Sequence, residues 1–539
     1  MTEQTVLTVL TGVAIVALAS WVSLVTCWGG YWRTDQRLPS RRTPAQWPAV
    51  AIVVPAREEA AVLPVTLPTL LAQDYPGPVT LVLVDDASTD GTAEVARDLA
   101  ARELARRAAA RDAGDPTALG GVGLTVLAST PPPPGWTGKL WALQHGVEFA
   151  GEAEFVLLTD ADIAHRPGSL RALVEAAMTH RLDMVSQMAR LNVTTRWERL
   201  IVPAFVYFFA MLYPFRWSNR PRSAIAAAAG GCSLVRRRLL RDAGGLAVVR
   251  GAVIDDVAIA RLVKKAGGRT WLGLADRVDS VRPYPALADL WNMVARSAFT
   301  QLRHSVALLV GTAVGMLLLF AVPVVATVTG LAAGDPVLAA LGAAGWLVLA
   351  GTYLPMIRYY RQPPPAALLL PVTAMLYLAM TVDSARRHLA GRGAAWKGRT
   401  YGAPAAAQAA DPAGEPAADV SAAAAAAPTR ATDLAADQVD ALRRLLLPAQ
   451  PPTRDRGAAA SSQAPGAVVG QRAPGVPPQS AAGSLPDRQS PGSLPDRRSP
   501  GSLPDRRSRS GRSAGRSAMG EVRDEDPEPT APGTGHDPR

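Results

Sequence analysis

Apolar positions crowd into uncharged runs at two places in the chain: Val6–Trp28 near its start, then Ser305–Thr329, Pro336–Ile357 and Ala366–Val382 further on. A helix rises about 1.5 Å per residue, so about 20 such residues cross the ~30 Å hydrocarbon layer of a bilayer. The runs therefore predict transmembrane helices at both ends of a more mixed middle. The first (6–28) follows Glu3 and precedes Arg33, Arg37, Arg41 and Arg42, which is the reverse of a cleaved signal peptide and sets residue 33 onward on the inner side. The last run is short and follows Pro363, Pro364 and Pro365. Three crossings after an inner soluble domain would leave the basic segment 383–402 outside, against the positive-inside bias, so the membrane region 305–382 reads as two or three spans.

Across residues 44–304 the pattern changes. Short β-branched runs at Val50–Val54, Val79–Val84, Leu124–Leu127 and Phe155–Leu158 alternate with Ala-, Arg- and Glu-rich helical stretches. Such alternation predicts an α/β domain, a mostly parallel sheet with flanking helices. Ligands of such sheets bind at the carboxyl ends of the strands, which is where Asp85, Asp86, Asp160 and Asp162 fall. The stretch Leu200–Trp217 is aromatic and nearly uncharged, which suits either a segment in the membrane interface or a buried helix.

Composition changes the picture most at the far end. From Ala403 to Arg539 the sequence contains no Phe, Trp, Tyr, Ile, Lys or Cys, leaving little apolar surface to offset chain entropy, and this tail is expected to be disordered. A nine-residue repeat beginning at Gly483, Gly492 and Gly501 is too short and Pro-rich for a solenoid. Thr432–Leu447 has helical spacing that ends at Pro448. With Cys27 and Cys232 as its two cysteines, the 539-residue chain cannot build a disulfide framework, and secreted disulfide folds are excluded.

The candidate chemistry sits at the strand ends. Asp160-Ala-Asp162 offers two carboxylates suited to Mg²⁺ or Mn²⁺, a cation that could neutralise a diphosphate leaving group. Pro55-Ala-Arg-Glu-Glu59 closes the first strand. Asp85 and Asp86 close the second, where a pyrimidine N–H and a ribose hydroxyl could be bound, with Ser88, Thr89 and Asp90 capping the next helix. Trp136-Thr-Gly-Lys-Leu-Trp-Ala142 opens a helix with Lys139 within reach of a diphosphate. Asp255 and Asp256 open another helix, where one of them could take a proton from an acceptor hydroxyl.

The order of these motifs resembles the family 2 glycosyltransferases of the GT-A fold. Ile225-Ala-Ala-Ala-Ala-Gly-Gly-Cys232, Ala298-Phe-Thr-Gln-Leu302, Trp396-Lys-Gly-Arg-Thr-Tyr401 and the membrane flanks look most like the hopene-associated glycosyltransferases of bacterial hopanoid clusters. The resemblance spans about residues 5 to 402. It implies a Rossmann-like catalytic domain with Pro55, Arg57 and Glu59 in the first nucleotide motif and Asp85 with Asp86 on base and ribose. Asp160 and Asp162 then serve metal and diphosphate, with Asp256, or Asp255 beside it, as general base. It further implies an inverting enzyme of the bacterial inner membrane with a cytoplasmic catalytic domain. Such an enzyme moves one sugar from a nucleotide donor, expected as a UDP-sugar, to a hydroxyl of a hopanoid-related lipid. Ceramide-like, carotenoid or polyprenyl-phosphate acceptors stay open, as does a non-catalytic membrane scaffold. Glu58 stands where relatives often carry Asn, and the Gln-x-x-Arg-Trp motif of processive synthases is missing, with Arg296 and Gln301 its nearest remnants.

Overall fold

The computed structural model describes residues 2–114 and 122–391, together with the backbone of 395–396 and 399–400. The tail 403–539, with its repeat and the Thr432–Leu447 stretch, and most of the basic segment past Gly391 lie outside the described residues.

The four expected strands form as β1 (Val50–Ala56), β2 (Val79–Asp85), β3 (Gly123–Ala128) and β4 (Phe155–Leu158). Four more join them: β5 (Ile163–His165), β6 (Met184–Arg190), β7 (Ser233–Arg236) and β8 (Thr270–Ser280). One sheet results, in the order β3-β2-β1-β4-β7-β6-β8-β5. Parallel pairing joins β3, β2, β1 and β4, and also β6 with β8, whereas β7 runs against both its neighbours and β5 against β8. The sheet is thus mixed, and its parallel half is the half that the apolar runs announced.

β1 shows why. Val50, Ile52 and Val54 pack with Leu63, Leu67 and Leu70 of α2 (Leu63–Leu71) on one face, while Ala51 and Val53 pack with Leu140 and Leu143 of α4 (Gly138–Phe149) on the other. A strand covered on both faces reads as a continuous apolar run, and each such side chain contributes about 1.5–3 kcal/mol. α3 (Thr92–Asp112) follows β2 and α5 (Ser169–His180) follows β5. The approach of α4 is close: a Cβ at Gly146 would stand 2.2 Å from Val53 Cγ1, so glycine is required there. That contact fixes the start of α4, and with it Lys139, relative to the strand ends.

α6 (Arg196–Leu212) is the aromatic stretch, and it is buried between the sheet domain and the apolar helices. Two short helices, α7 (Phe215–Ser218) and α8 (Arg237–Asp242), precede α9 (Asp255–Lys265), and α10 (Leu287–Ala295) and α11 (Ala298–Gln301) lead out of the domain. Among the described residues, four helical stretches are long and apolar enough to cross a membrane: α1 (Glu3–Cys27), Val306–Ala333, Pro336–Tyr359 and Pro364–Leu389. The second comprises α12 (Val306–Met316) and α13 (Val322–Ala333) joined by a π turn at Leu317–Ala321; the third is α14; the fourth ends in α15 (Leu370–Leu389). Pro323 has no N–H to give the carbonyl four residues back, and that carbonyl, of Leu319, instead accepts the Trp21 indole N–H of α1 at 2.7 Å. Tyr207 of α6 bonds Thr352 of α14 at 2.8 Å and Tyr31 at 3.3 Å.

The fourth stretch begins and ends beside the domain. Just before it, Tyr359 of α14 donates to the Ala275 carbonyl of β8 at 2.7 Å. Along α15, Tyr377 donates to the Ile201 carbonyl at 3.1 Å, Asp383 accepts from the Trp291 indole at 2.8 Å, and Ser384 accepts from the Phe299 N–H at 3.0 Å. This helix therefore follows α6, α10 and α11 along its length, which its sequence length alone did not disclose.

Candidate active site

The ends of β1 and β2 are cross-braced before they can bind anything. The Glu58 N–H donates to Ser88 Oγ at 3.1 Å, Thr89 N–H donates to Glu58 Oε1 at 2.9 Å, and Glu59 N–H donates to Thr92 Oγ1 at 2.8 Å. Glu58 sits at φ +53°, the left-handed region that asparagine tolerates better than glutamate, and its carboxylate spans to the second motif. Asp90 accepts from the N–H groups of Thr92 and Ala60, both at 3.0 Å. Burial alone would raise its carboxyl, and those bonds outweigh it and hold the group below its ordinary value, as a turn-capping aspartate should be.

The paired aspartates separate in role. Asp86 has no exposed surface and lies 3.9 Å from the Arg57 guanidinium, which also donates to the Asp86 and Ala87 carbonyls. Asp85 accepts one long bond, from Ser88 N–H at 3.4 Å, while its Oδ1 is buried with no hydrogen-bond partner. A buried acceptor without a donor costs free energy that an N–H or hydroxyl brought by a ligand would return. Pro55 is buried in β1 and offers no polar group; its missing N–H falls on the side where β4 has already ended, opposite Val53.

Asp160, just past β4, Lys139 and the start of α9 converge. Lys139 Nζ lies 2.9 Å from Asp160 Oδ1 and 3.0 Å from Asp255 Oδ2. Burial would lower the lysine, but Asp160 and Asp255 more than reverse it, so its ammonium is held well above the usual range. Asp256 Oδ2 accepts the Gly230 N–H at 2.9 Å and Oδ1 accepts the Val257 N–H at 2.7 Å. Burial and then the Asp255 charge push Asp256 up to about 7, against the opposing pull of Lys139. Gly230 faces the cluster: a Cβ there would lie 3.3 Å from Lys139 Nζ, 3.6 Å from Asp256 Oδ2 and 3.7 Å from Asp160 Oδ2. Its loop is pinned by Thr159, which donates to the Gly231 carbonyl at 2.8 Å and lies 2.9 Å from His165 Nε2; burial pushes that imidazole down to about 4, so it is neutral.

Asp162 turns the other way. Its Oδ2 accepts from Arg282 Nε at 2.6 Å, and Arg282 Nη2 reaches both oxygens of Glu59 at 2.7 Å. Burial raises the Asp162 carboxyl despite Arg282, and Asp160 adds to the rise. Glu59, expected on the nucleotide, thus holds Arg282 in this structure. Among the described residues no group of three or more His, Cys, Asp or Glu is placed to enclose a metal, so a cation here would rest on Asp160, Asp162 and the ligand's own oxygens. Sequence reasoning missed Gly230 and Arg282 as site residues. Gly230 lay within a quoted motif, whereas Arg282 follows a strand with no periodic signal and reaches the site only through the pairing of β8 with β5.

Residues 48–300 match the family model described as glycosyltransferase like family 2. An undecaprenyl-phosphate 4-deoxy-4-formamido-L-arabinose transferase of Aeromonas hydrophila is 31% identical over 156 residues, which are 28% of this chain and 39% of that relative. The chain thus matches well under two thirds of that relative's length. A mannosyltransferase of Pyrobaculum calidifontis, solved with GDP-Man and Mn²⁺, is 21% identical over 70% of this chain and 99% of that one, with a TM-score of 0.42. Glucosyl-3-phosphoglycerate synthase of Mycobacterium tuberculosis, solved with Mn²⁺, UDP-Glc and phosphoglyceric acid, is 20% identical over 47% of this chain and 79% of that one, with a TM-score of 0.29.

Proposed function

We propose, on the premise of a glycosyltransferase family 2 domain at residues 48–300, that the chain is an inverting enzyme moving one sugar from a nucleotide-sugar donor to a hydroxyl of a membrane lipid. The observation that carries this reading is the convergence of Asp160, Lys139, Asp255 and Asp256 around Gly230. A carboxylate raised to about 7 is a competent proton acceptor near neutral pH, while Lys139 supplies positive charge where a diphosphate would leave. Asp85, with its unpartnered buried oxygen, would bind the nucleoside. Asp160 and Asp162 would hold Mg²⁺ or Mn²⁺, which when bound neutralises the departing diphosphate. Asp256 would take the acceptor hydroxyl proton, with its carboxylate aimed by the Gly230 and Val257 N–H groups.

A lipid acceptor is supported by the four apolar helices and by the relative whose name specifies undecaprenyl phosphate. Between acceptors, the raised Asp256 favours a hydroxyl, which must lose a proton, over a phosphate, which is already ionised. A hopanoid acceptor rests on the motif resemblance. In this reading Pro364–Leu389 re-enters rather than crosses, because both its ends lie beside the domain; two C-terminal crossings then put Arg386 and Arg387 on the same side as Arg33 to Arg42, as the positive-inside bias favours. Two experiments test the proposal. Asp162→Ala should abolish transfer while the protein stays folded in detergent, and near-normal turnover of that variant with EDTA present would overturn it. Mass spectrometry of total lipids with and without the gene should reveal a missing glycolipid that names sugar and acceptor together.

A further inference from the structure

The segment between β8 and α10 is tied down at three successive points. Val281 N–H donates to the Asp162 carbonyl at 2.9 Å, Arg282 sits on two carboxylates, and Tyr284 N–H donates to Glu198 Oε1 at 2.7 Å. The backbone on either side of Arg282 is therefore fixed, and any movement there belongs to the side chain. The guanidinium is held unequally. Nη2 spans both oxygens of Glu59 at 2.7 Å, whereas Asp162 is met by Nε alone at 2.6 Å. Glu59 is 8% exposed and gains from a permanent cation.

We propose that Arg282 is a positioning residue of the donor site, occupying the Asp162 oxygen that a divalent cation would take and yielding it, while still anchored on Glu59, when metal and diphosphate bind. The inference rests on the reading of Asp160 and Asp162 as the metal end of the site. A dication on the oxygen that Arg282 already holds would face the guanidinium at short range, where the two cations repel, so they compete for it. Breaking the single contact to Asp162 leaves the paired contacts to Glu59 intact, so the guanidinium swings rather than departs. Its remaining N–H donors, planar and permanently charged, then face the phosphate oxygens that arrive with the metal. Before that moment Arg282 keeps Asp162 and Glu59 from repelling each other.

The test is Mn²⁺ binding to the purified full-length protein in detergent, without donor, read by the loss of the free-ion electron paramagnetic resonance signal. Arg282→Gln removes the competing cation and should tighten Mn²⁺ binding by roughly 5-fold or more, the lower range of measured site-to-site couplings. Arg282→Lys keeps the charge without the planar fork and should tighten it less, which also serves should the glutamine variant fail to fold. Unchanged or weaker Mn²⁺ binding in both variants overturns the proposal. Asp162→Asn separates the two readings. If it abolishes Mn²⁺ binding while the Arg282 variants bind as the parent does, the metal site stands and the role of Arg282 falls. If Asp162→Asn binds Mn²⁺ as the parent does, both fall.

Discussion

In the proposed reaction Asp256, as the base, concentrates the chemistry into one titration. Its carboxyl is raised to about 7 by burial and by Asp255, and a base acts only when deprotonated, so kcat/KM is expected to fall as pH drops through about 7. Asp256→Asn keeps size and hydrogen bonding but accepts no proton; turnover should drop by roughly 10² or more with donor binding retained. Collapse of donor affinity with turnover preserved would instead make Asp256 a binding residue and turn attention to Asp255. Lys139 opposes the rise of Asp256, so Lys139→Met should move the acidic limb of the profile to higher pH, by roughly one unit, alongside any loss of diphosphate binding. A limb that stays in place would show that the lysine does not act on the base. Asp85 and Asp86, adjacent in sequence, differ in their surroundings: Asp86 is sealed behind Arg57, and Asp85 keeps a buried oxygen with no hydrogen-bond partner.

Among the elements, α6 joins the sheet domain to the apolar helices, and its first turn is held by Glu198. That carboxylate accepts from Thr194 N–H at 2.9 Å, Thr195 N–H at 2.8 Å and Tyr284 N–H at 2.7 Å, while the Thr195 hydroxyl accepts from the Glu198 N–H at 3.2 Å, closing a capping box. Replacing it with alanine removes the cap and strands the Tyr284 N–H; a loss of about 2 kcal/mol is expected, read as a lower melting temperature in detergent. Burial would raise this carboxyl, but the Thr195 and Tyr284 N–H groups depress it below its ordinary value, so its stabilisation is present at neutral pH and fades as pH falls through that depressed value. Glu198→Gln should flatten that acid dependence. The aromatic, nearly uncharged composition of Leu200–Trp217 suited a buried or interfacial segment, whereas the partners of α6, Thr352 and Tyr377 of the apolar helices among them, lie more than a hundred positions away.

Taken as a whole molecule, the chain places its sheet domain against a helical bundle whose last member runs back along that domain. A reporter fused after Gly391 is therefore expected on the same side of the membrane as one inserted at the exposed Gly114, and opposite sides would restore a third C-terminal crossing. Arg386 and Arg387 are held by Asp383, at 3.1 and 2.7 Å, and Asp383 in turn accepts from Trp291 of α10.

By itself the sequence determined the elements whose signal is local. Continuous apolar runs announced β1 to β4, and charge-free stretches of membrane length announced the helices. In β1, β4 and the centre of β2 burial on both faces leaves no polar positions to blur the pattern, while the half-buried edge strand β3 showed the same run. Asp160 at a strand end, and Lys139, Asp255 and Asp256 at helix starts, stood out in the sequence as candidates, but that Lys139 meets Asp160 and Asp255 within 3.0 Å came from the tertiary structure. Tertiary structure alone decided what depends on distant pairing. The strands β5 to β8 are short or partly polar, so their order and antiparallel runs came from packing. Arg282 reached Asp162 because β5 pairs with β8, Gly230 entered the site because its loop is pinned to Thr159, and the path of Pro364–Leu389 followed from contacts with α6, α10 and α11 that no local hydropathy encodes.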